Sequence, residues 1–112
     1  KTYISLANTE PKFNQLAATE LEKARLLAPT DPKIAYNLGL VYTRLGYIDS
    51  AEDELLTTIK LKPNYAEPYY ALTLIYEQTR QFEKIPPLLN TVKTSISSYS
   101  TQLREKIEKY AP

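Results

Sequence analysis

The side chains that most often carry chemistry at neutral pH are missing from this chain. Its 112 residues include no His and no Cys, so the commonest general base and the usual transition-metal ligands are absent. With 2 glycines in all, the chain has no glycine-rich phosphate loop, and no pair of carboxylates marks an acid–base site. The acidic run Glu52-Asp53-Glu54 falls at a helix start, where negative charge complements the helix dipole. What remains is binding chemistry. Tyr36 and Tyr70 offer broad apolar rings with a polar tip, and charges of both signs are scattered between them. The expectation is a protein that holds other molecules, not an enzyme, with no cofactor and no metal.

Composition narrows the partners. A net charge of +1 gives no basis for a nucleic-acid or anionic-membrane partner. The longest apolar runs are a few residues, so direct membrane insertion by this segment is not expected. No secretory signal pattern opens the chain, and without cysteine the redox compartment cannot be read, so localisation stays open. The length and a hydrophobic fraction of 43% fit one domain with an ordinary core. The chain begins at Lys1 without an initiator Met and is read as a piece of a longer protein.

The elements that position these residues repeat. Tyr36, Leu38, Leu40 and Tyr42 fall on Tyr70, Leu72, Leu74 and Tyr76, each 34 positions on. By the same interval Ala51, Glu54, Leu55, Leu61 and Pro63 fall back on Ala17, Glu20, Leu21, Leu27 and Pro29. A fixed period of this length with a helical rhythm inside it indicates stacked helix pairs. A short front helix is expected over 2–8, barred from continuing by Pro11. Its partner runs from about Asn14 to Ala28, with Leu16, Ala17, Leu21, Ala24 and Leu27 on its apolar face. Thr30-Asp31-Pro32 starts the next helix, which runs to Leu45 and ends at Gly46. Asp49-Ser50-Ala51-Glu52 and Asn64-Tyr65-Ala66-Glu67 read as capping devices for two further helices. Pro86-Pro87 delay the next helix to Ile85 or Pro86, and it runs to about Ser97. A last helix spans Ser100 to Tyr110, with Tyr99, Leu103, Ile107 and Tyr110 on one stripe and a polar outer side.

This pattern resembles the tetratricopeptide repeat, best over residues 32–65. Leu38, Gly39 and Tyr42 stand where the family places Leu, Gly and Tyr. Gly46 matches the turn, Ala51 the small residue of the back helix, and Pro63-Asn64 the closing pair. The small residues Gly39 and Ala51 let paired helices approach closely. The resemblance implies an all-α, right-handed superhelical solenoid of antiparallel helix pairs. Residues 1–31 form a partial repeat, 32–65 a full one, 66–98 a divergent one, and 99–112 a capping helix. Pentatricopeptide arrays that read RNA have a similar length, but a near-neutral chain with a closing Pro63 argues against them.

The resemblance also implies where a ligand would sit. Family contacts come from front-helix positions lining a concave groove. Here these are Lys33, Tyr36, Asn37, Leu40 and Arg44, then Glu67, Tyr70, Ala71, Leu74 and Glu77, with Thr2 and Leu6 as weak counterparts in the first repeat. The co-chaperone mode, which clamps a peptide's terminal carboxylate, is disfavoured, because Glu67 and Ala71 stand where that clamp wants Lys and Arg. A protein or peptide partner in the groove is the first reading. The alternative is a structural spacer or self-association module, forming a homo-oligomer through the open N-terminal repeat. Similar arrays occur as soluble tails of larger bacterial membrane or assembly proteins.

Overall fold

A computed structural model describes residues 11–112. Among them the regular structure is helical, without strands: α1 (Pro11–Leu27), α2 (Pro32–Leu45), α3 (Ile48–Leu61), α4 (Glu67–Gln78), a 3-10 turn (Phe82–Lys84), α5 (Ile85–Ser95) and α6 (Thr101–Tyr110). The front helix expected over 2–8, with Thr2 and Leu6, lies outside the described residues. Two compact units meet in sequence at Leu61 and Lys62.

In the first unit, α2 packs against both α1 and α3. Its start is the expected one: the Asp31 carboxylate accepts the Lys33 backbone N–H at 2.9 Å, and Pro32 occupies the first turn, where no amide donor is needed. Its end is also as expected, with Gly46 at φ 84°, in the left-handed region that a Cβ penalises. Ala35, Leu38, Gly39 and Val41 of α2 are buried, as are Ala51, Leu55 and Thr58 of α3. A Cβ placed on Gly39 would lie 2.8 Å from both Cγ and Cδ2 of Leu55, so the absence of a side chain there sets the approach of the pair. The buried Thr58 hydroxyl donates to the Glu54 carbonyl at 2.8 Å, which satisfies it without a partner helix.

Two local expectations change in this unit. α1 begins at Pro11, three residues before Asn14, and its buried positions are Asn14 and Ala18. Leu16 and Leu27, expected inward, are exposed, because the row of Asn14, Ala18, Leu21 and Arg25 takes the contact instead. α3 begins at Ile48, so Asp49 sits inside the first turn and the Tyr47 carbonyl receives the Ala51 N–H at 2.9 Å.

In the second unit α4, α5 and α6 pack on one another. Tyr69, Leu72, Ile75 and Tyr76 meet Ile85, Leu89 and Val92 of α5 and Leu103 and Ile107 of α6 in one buried core. The Tyr69 hydroxyl donates to the Pro63 carbonyl at 2.7 Å, anchoring the segment that leads into α4. No side chain caps α4, so Asn64 does not act as the expected capping residue; Pro68 stands in its first turn instead. α5 starts late, at Ile85, with Pro86 and Pro87 in the turn that has no amide to satisfy. It stops at Ser95, two residues short of expectation, where Ile96 turns extended and buries its side chain. Ser100 caps α6, its hydroxyl accepting the Leu103 N–H at 3.1 Å.

Candidate functional site

The ten front-helix positions fall on α2 and α4, and each helix presents its own face. On α2, Lys33, Tyr36, Asn37, Leu40 and Arg44 recur at spacings of three, one, three and four, which sets them along one side of the helix. Lys33, Asn37 and Arg44 are exposed, while Tyr36 and Leu40 are half-buried. The buried positions Ala35, Leu38 and Val41 interleave with them and point to the core. This arrangement leaves one aromatic ring and one leucine partly open between two cationic ends and an amide.

On α4, Tyr70, Leu74 and Glu77 form the corresponding row, with Tyr70 half-buried and Leu74 exposed. Glu67 is exposed at the helix start and Ala71 is half-buried. Glu77 is engaged within the chain. Lys106 of α6 donates to both of its carboxylate oxygens, at 2.9 and 3.0 Å, and the Tyr110 hydroxyl donates to one at 2.7 Å. Burial pulls the Glu77 carboxyl upward, but the hydrogen bonds from Lys106 and Tyr110 and the Lys106 charge outweigh it and hold it below the usual carboxylate range. The same bond raises Lys106 above its ordinary value, opposed by burial and helped by the nearby Tyr70. The last helix therefore closes the C-terminal end of the α4 face and leaves Tyr70 and Leu74 as its open part.

No family model matches the chain. It is 34% identical to the BBSome complex member BBS4 of Bos taurus over an 83-residue alignment that covers 62% of this chain and 16% of that protein. It is 24% identical to Tetratricopeptide repeat protein 7A of Homo sapiens over 93 residues, 83% of this chain and 11% of that protein. The domain is tetratricopeptide-like. It spans less than a fifth of either relative's length. The likeness supports a protein-interaction module in general and names no partner.

Within this tetratricopeptide-like domain, a second polar cluster ties the first unit together. The Tyr42 hydroxyl donates to Glu22 of α1 at 2.6 Å, Arg25 of α1 pairs with Glu54 of α3, and Gln15 of α1 donates to the Tyr47 hydroxyl at 2.9 Å. Burial first, and then the hydrogen bond to Glu22, push the Tyr42 hydroxyl up to about 12. Sequence reasoning placed Tyr42 inward and found none of these partners. They are joined across 20 to 32 positions, where no local spacing signals them.

Among the described residues no group of three or more His, Cys, Asp or Glu side chains is placed to hold a metal ion. Among them, too, no helix is long and apolar enough to cross a membrane. Every buried side-chain N or O among these residues has a hydrogen-bond partner, so the polar interior holds no unmet group aimed at a ligand.

Proposed function

We propose that this chain is a binding module without catalytic activity, in which each front helix, α2 in the first unit and α4 in the second, offers its own outward face to a peptide or partner segment. The observation that carries the reading is the recurrence of Tyr36 at Tyr70, 34 positions on, each of them half-buried. A tyrosine ring gives broad apolar contact at small entropic cost. Asn37 supplies donor and acceptor to a peptide backbone, and Leu40 and Leu74 extend the apolar contact. Lys33 and Arg44 place a positive charge at each end of the α2 row. Glu77 contributes through the shape that Lys106 and Tyr110 impose on it, since its carboxylate is already bonded. A relative whose name places it in a protein complex supports a protein partner.

The test is a random peptide library panned on the immobilised chain and on the variant Tyr36→Ala/Asn37→Ala/Tyr70→Ala. The enriched peptides should bind the variant at least about tenfold more weakly, a loss of about 1.4 kcal/mol, while its helical circular dichroism stays at the wild-type level. Equal binding to both proteins would sink the reading. Self-association through the first repeat is the second reading, favoured by the exposed apolar residues of α1.

A further inference from the structure

We infer that the outward stripe of α1 is a seam that pairs antiparallel with α1 of a second copy of this chain. Phe13, Leu16, Glu20, Lys23 and Leu27 follow one another at intervals of three, four, three and four, the spacing of a coiled-coil seam. At 3.6 residues per turn this stripe lies roughly opposite the buried row of Asn14 and Ala18, so the helix packs on α2 by one side and offers the seam on the other. The seam is open throughout. Phe13, Leu16 and Leu27 are 65%, 57% and 89% exposed, and the side chains of Glu20 and Lys23 are 71% and 68% exposed. Large apolar side chains aligned at seam spacing and left in water mark an interface more than isolated surface leucines do.

The two charges at the centre of the stripe select the occupant and its register. In an antiparallel pair centred between Leu21 and Glu22, Leu16 faces Leu27 of the second copy and Glu20 faces Lys23, each contact occurring twice by symmetry. Glu20 and Lys23 already lie 3.6 Å apart along their own helix. The pairing therefore closes a ring of four charges alternating in sign, with a leucine pair on each side and Phe13 outermost. A parallel pair would set Glu20 against Glu20 and Lys23 against Lys23. Sliding the antiparallel pair one heptad toward the N-terminus would set Phe13 against Lys23 and Leu16 against Glu20. Polar residues within an apolar seam fix orientation and register by this kind of exclusion. The seam is thus complementary to itself in one arrangement.

The inference deepens the self-association reading and is independent of ligand capture by α2 and α4. Sedimentation equilibrium of the 112-residue chain tests it. The expected result is a monomer–dimer equilibrium that shifts to dimer with concentration. Glu20→Lys and Lys23→Glu, each alone, give the central ring a single sign. Each should weaken dimerisation by at least about tenfold and leave the circular dichroism unchanged. Mixing the two variants restores opposite signs across the seam, so a heterodimer of wild-type strength is expected. A chain that is monomeric at every concentration overturns the inference, leaving the stripe to residues 1–10 or to a different protein. A dimer indifferent to both charge changes, or variants that fail to recover on mixing, also overturns it, while self-association by another face would stand. Peptide panning through Tyr36 and Tyr70 is scored on the same variants, so failure of the ligand reading shows separately.

Discussion

Filling Gly39 should loosen the α2–α3 pair, by an amount the geometry bounds. Replacing a helical glycine by alanine ordinarily gains about 1 kcal/mol in helix propensity. Here the new Cβ would stand 2.8 Å from Cγ and Cδ2 of Leu55, and 3.5 Å from the Ala51 carbonyl oxygen. Leu55 is fully buried and its Cγ is the branch point, not a flexible tip, so it cannot yield without moving its neighbours. Overpacking of this kind costs roughly 1–3 kcal/mol. The net expectation for Gly39→Ala is a loss of about 1 kcal/mol, and for Gly39→Leu a loss of about 3 kcal/mol or more. At this chain length 1 kcal/mol moves the melting temperature by roughly 4 °C. Leu55→Ala alone leaves a cavity and should cost about 2–5 kcal/mol. In the double variant the alanine methyl at 39 fills part of that cavity, so the two losses should fall short of additivity by about 1 kcal/mol. Urea unfolding followed by far-ultraviolet circular dichroism measures all four proteins. A Gly39→Ala chain stabilised by the full propensity gain, and additive with Leu55→Ala, would refute the close approach.

Two further predictions concern the second unit. Arg80 stands 34 positions after Gly46 and adopts the same left-handed backbone, φ 60° against 84°. Arg80→Gly should therefore gain about 0.5–1 kcal/mol in thermal unfolding, whereas a loss would mean that the guanidinium makes a contact worth more than the strain. Glu77 has a folded pKa below its unfolded value, so the unfolded state takes up the proton first as pH falls. The stability it contributes is present above the ordinary carboxyl range and disappears as pH drops through the lowered value. Glu77→Gln should flatten that part of an acid titration of the melting temperature, and superimposable profiles would count against the Lys106–Tyr110 network.

The features legible in the sequence are those written by neighbours in the chain. Asp31-Pro32 and Gly46 bound α2 because a cap, a first-turn proline and a left-handed glycine each act within four residues. The late start of α5 at Pro86-Pro87 and the Ser100 cap of α6 were readable for the same reason. The Asp49 and Asn64 devices misled because a capping residue type does not cap unless its own backbone leaves the helix there. α3 had already begun at Ile48, and Ala66 before α4 remains helical in backbone. The front-helix rows on α2 and α4 were legible as period-matched positions. What Glu77 touches was not, since Lys106 and Tyr110 lie 29 and 33 positions away and their arrival depends on how α6 packs.

Burial at equivalent phases shows why a repeat announces its scaffold more readily than its use. Ala51, Leu55 and Thr58 are fully buried, whereas Ala17, Leu21 and Ala24, one period earlier and nearly the same residues, are half-buried. Residue type cannot distinguish the two sets, because burial belongs to the neighbouring helix. The departures from the period carry different information. At the phases of Phe13, Leu16, Glu20, Lys23 and Leu27, α3 and the residue before it read Tyr47, Ser50, Glu54, Thr57 and Leu61. Stacking a repeat requires neither Leu16 nor Lys23, since the later copy packs with Ser and Thr in their places. Those two substitutions are what turn the outer side of α1 into a stripe with an apolar arm and an alternating charge at its centre. Glu20 and Leu27 recur one period on, but Leu16 and Lys23, which the seam needs and the repeat does not, depart from it, which is why the seam on α1 is assigned to association and not to internal packing.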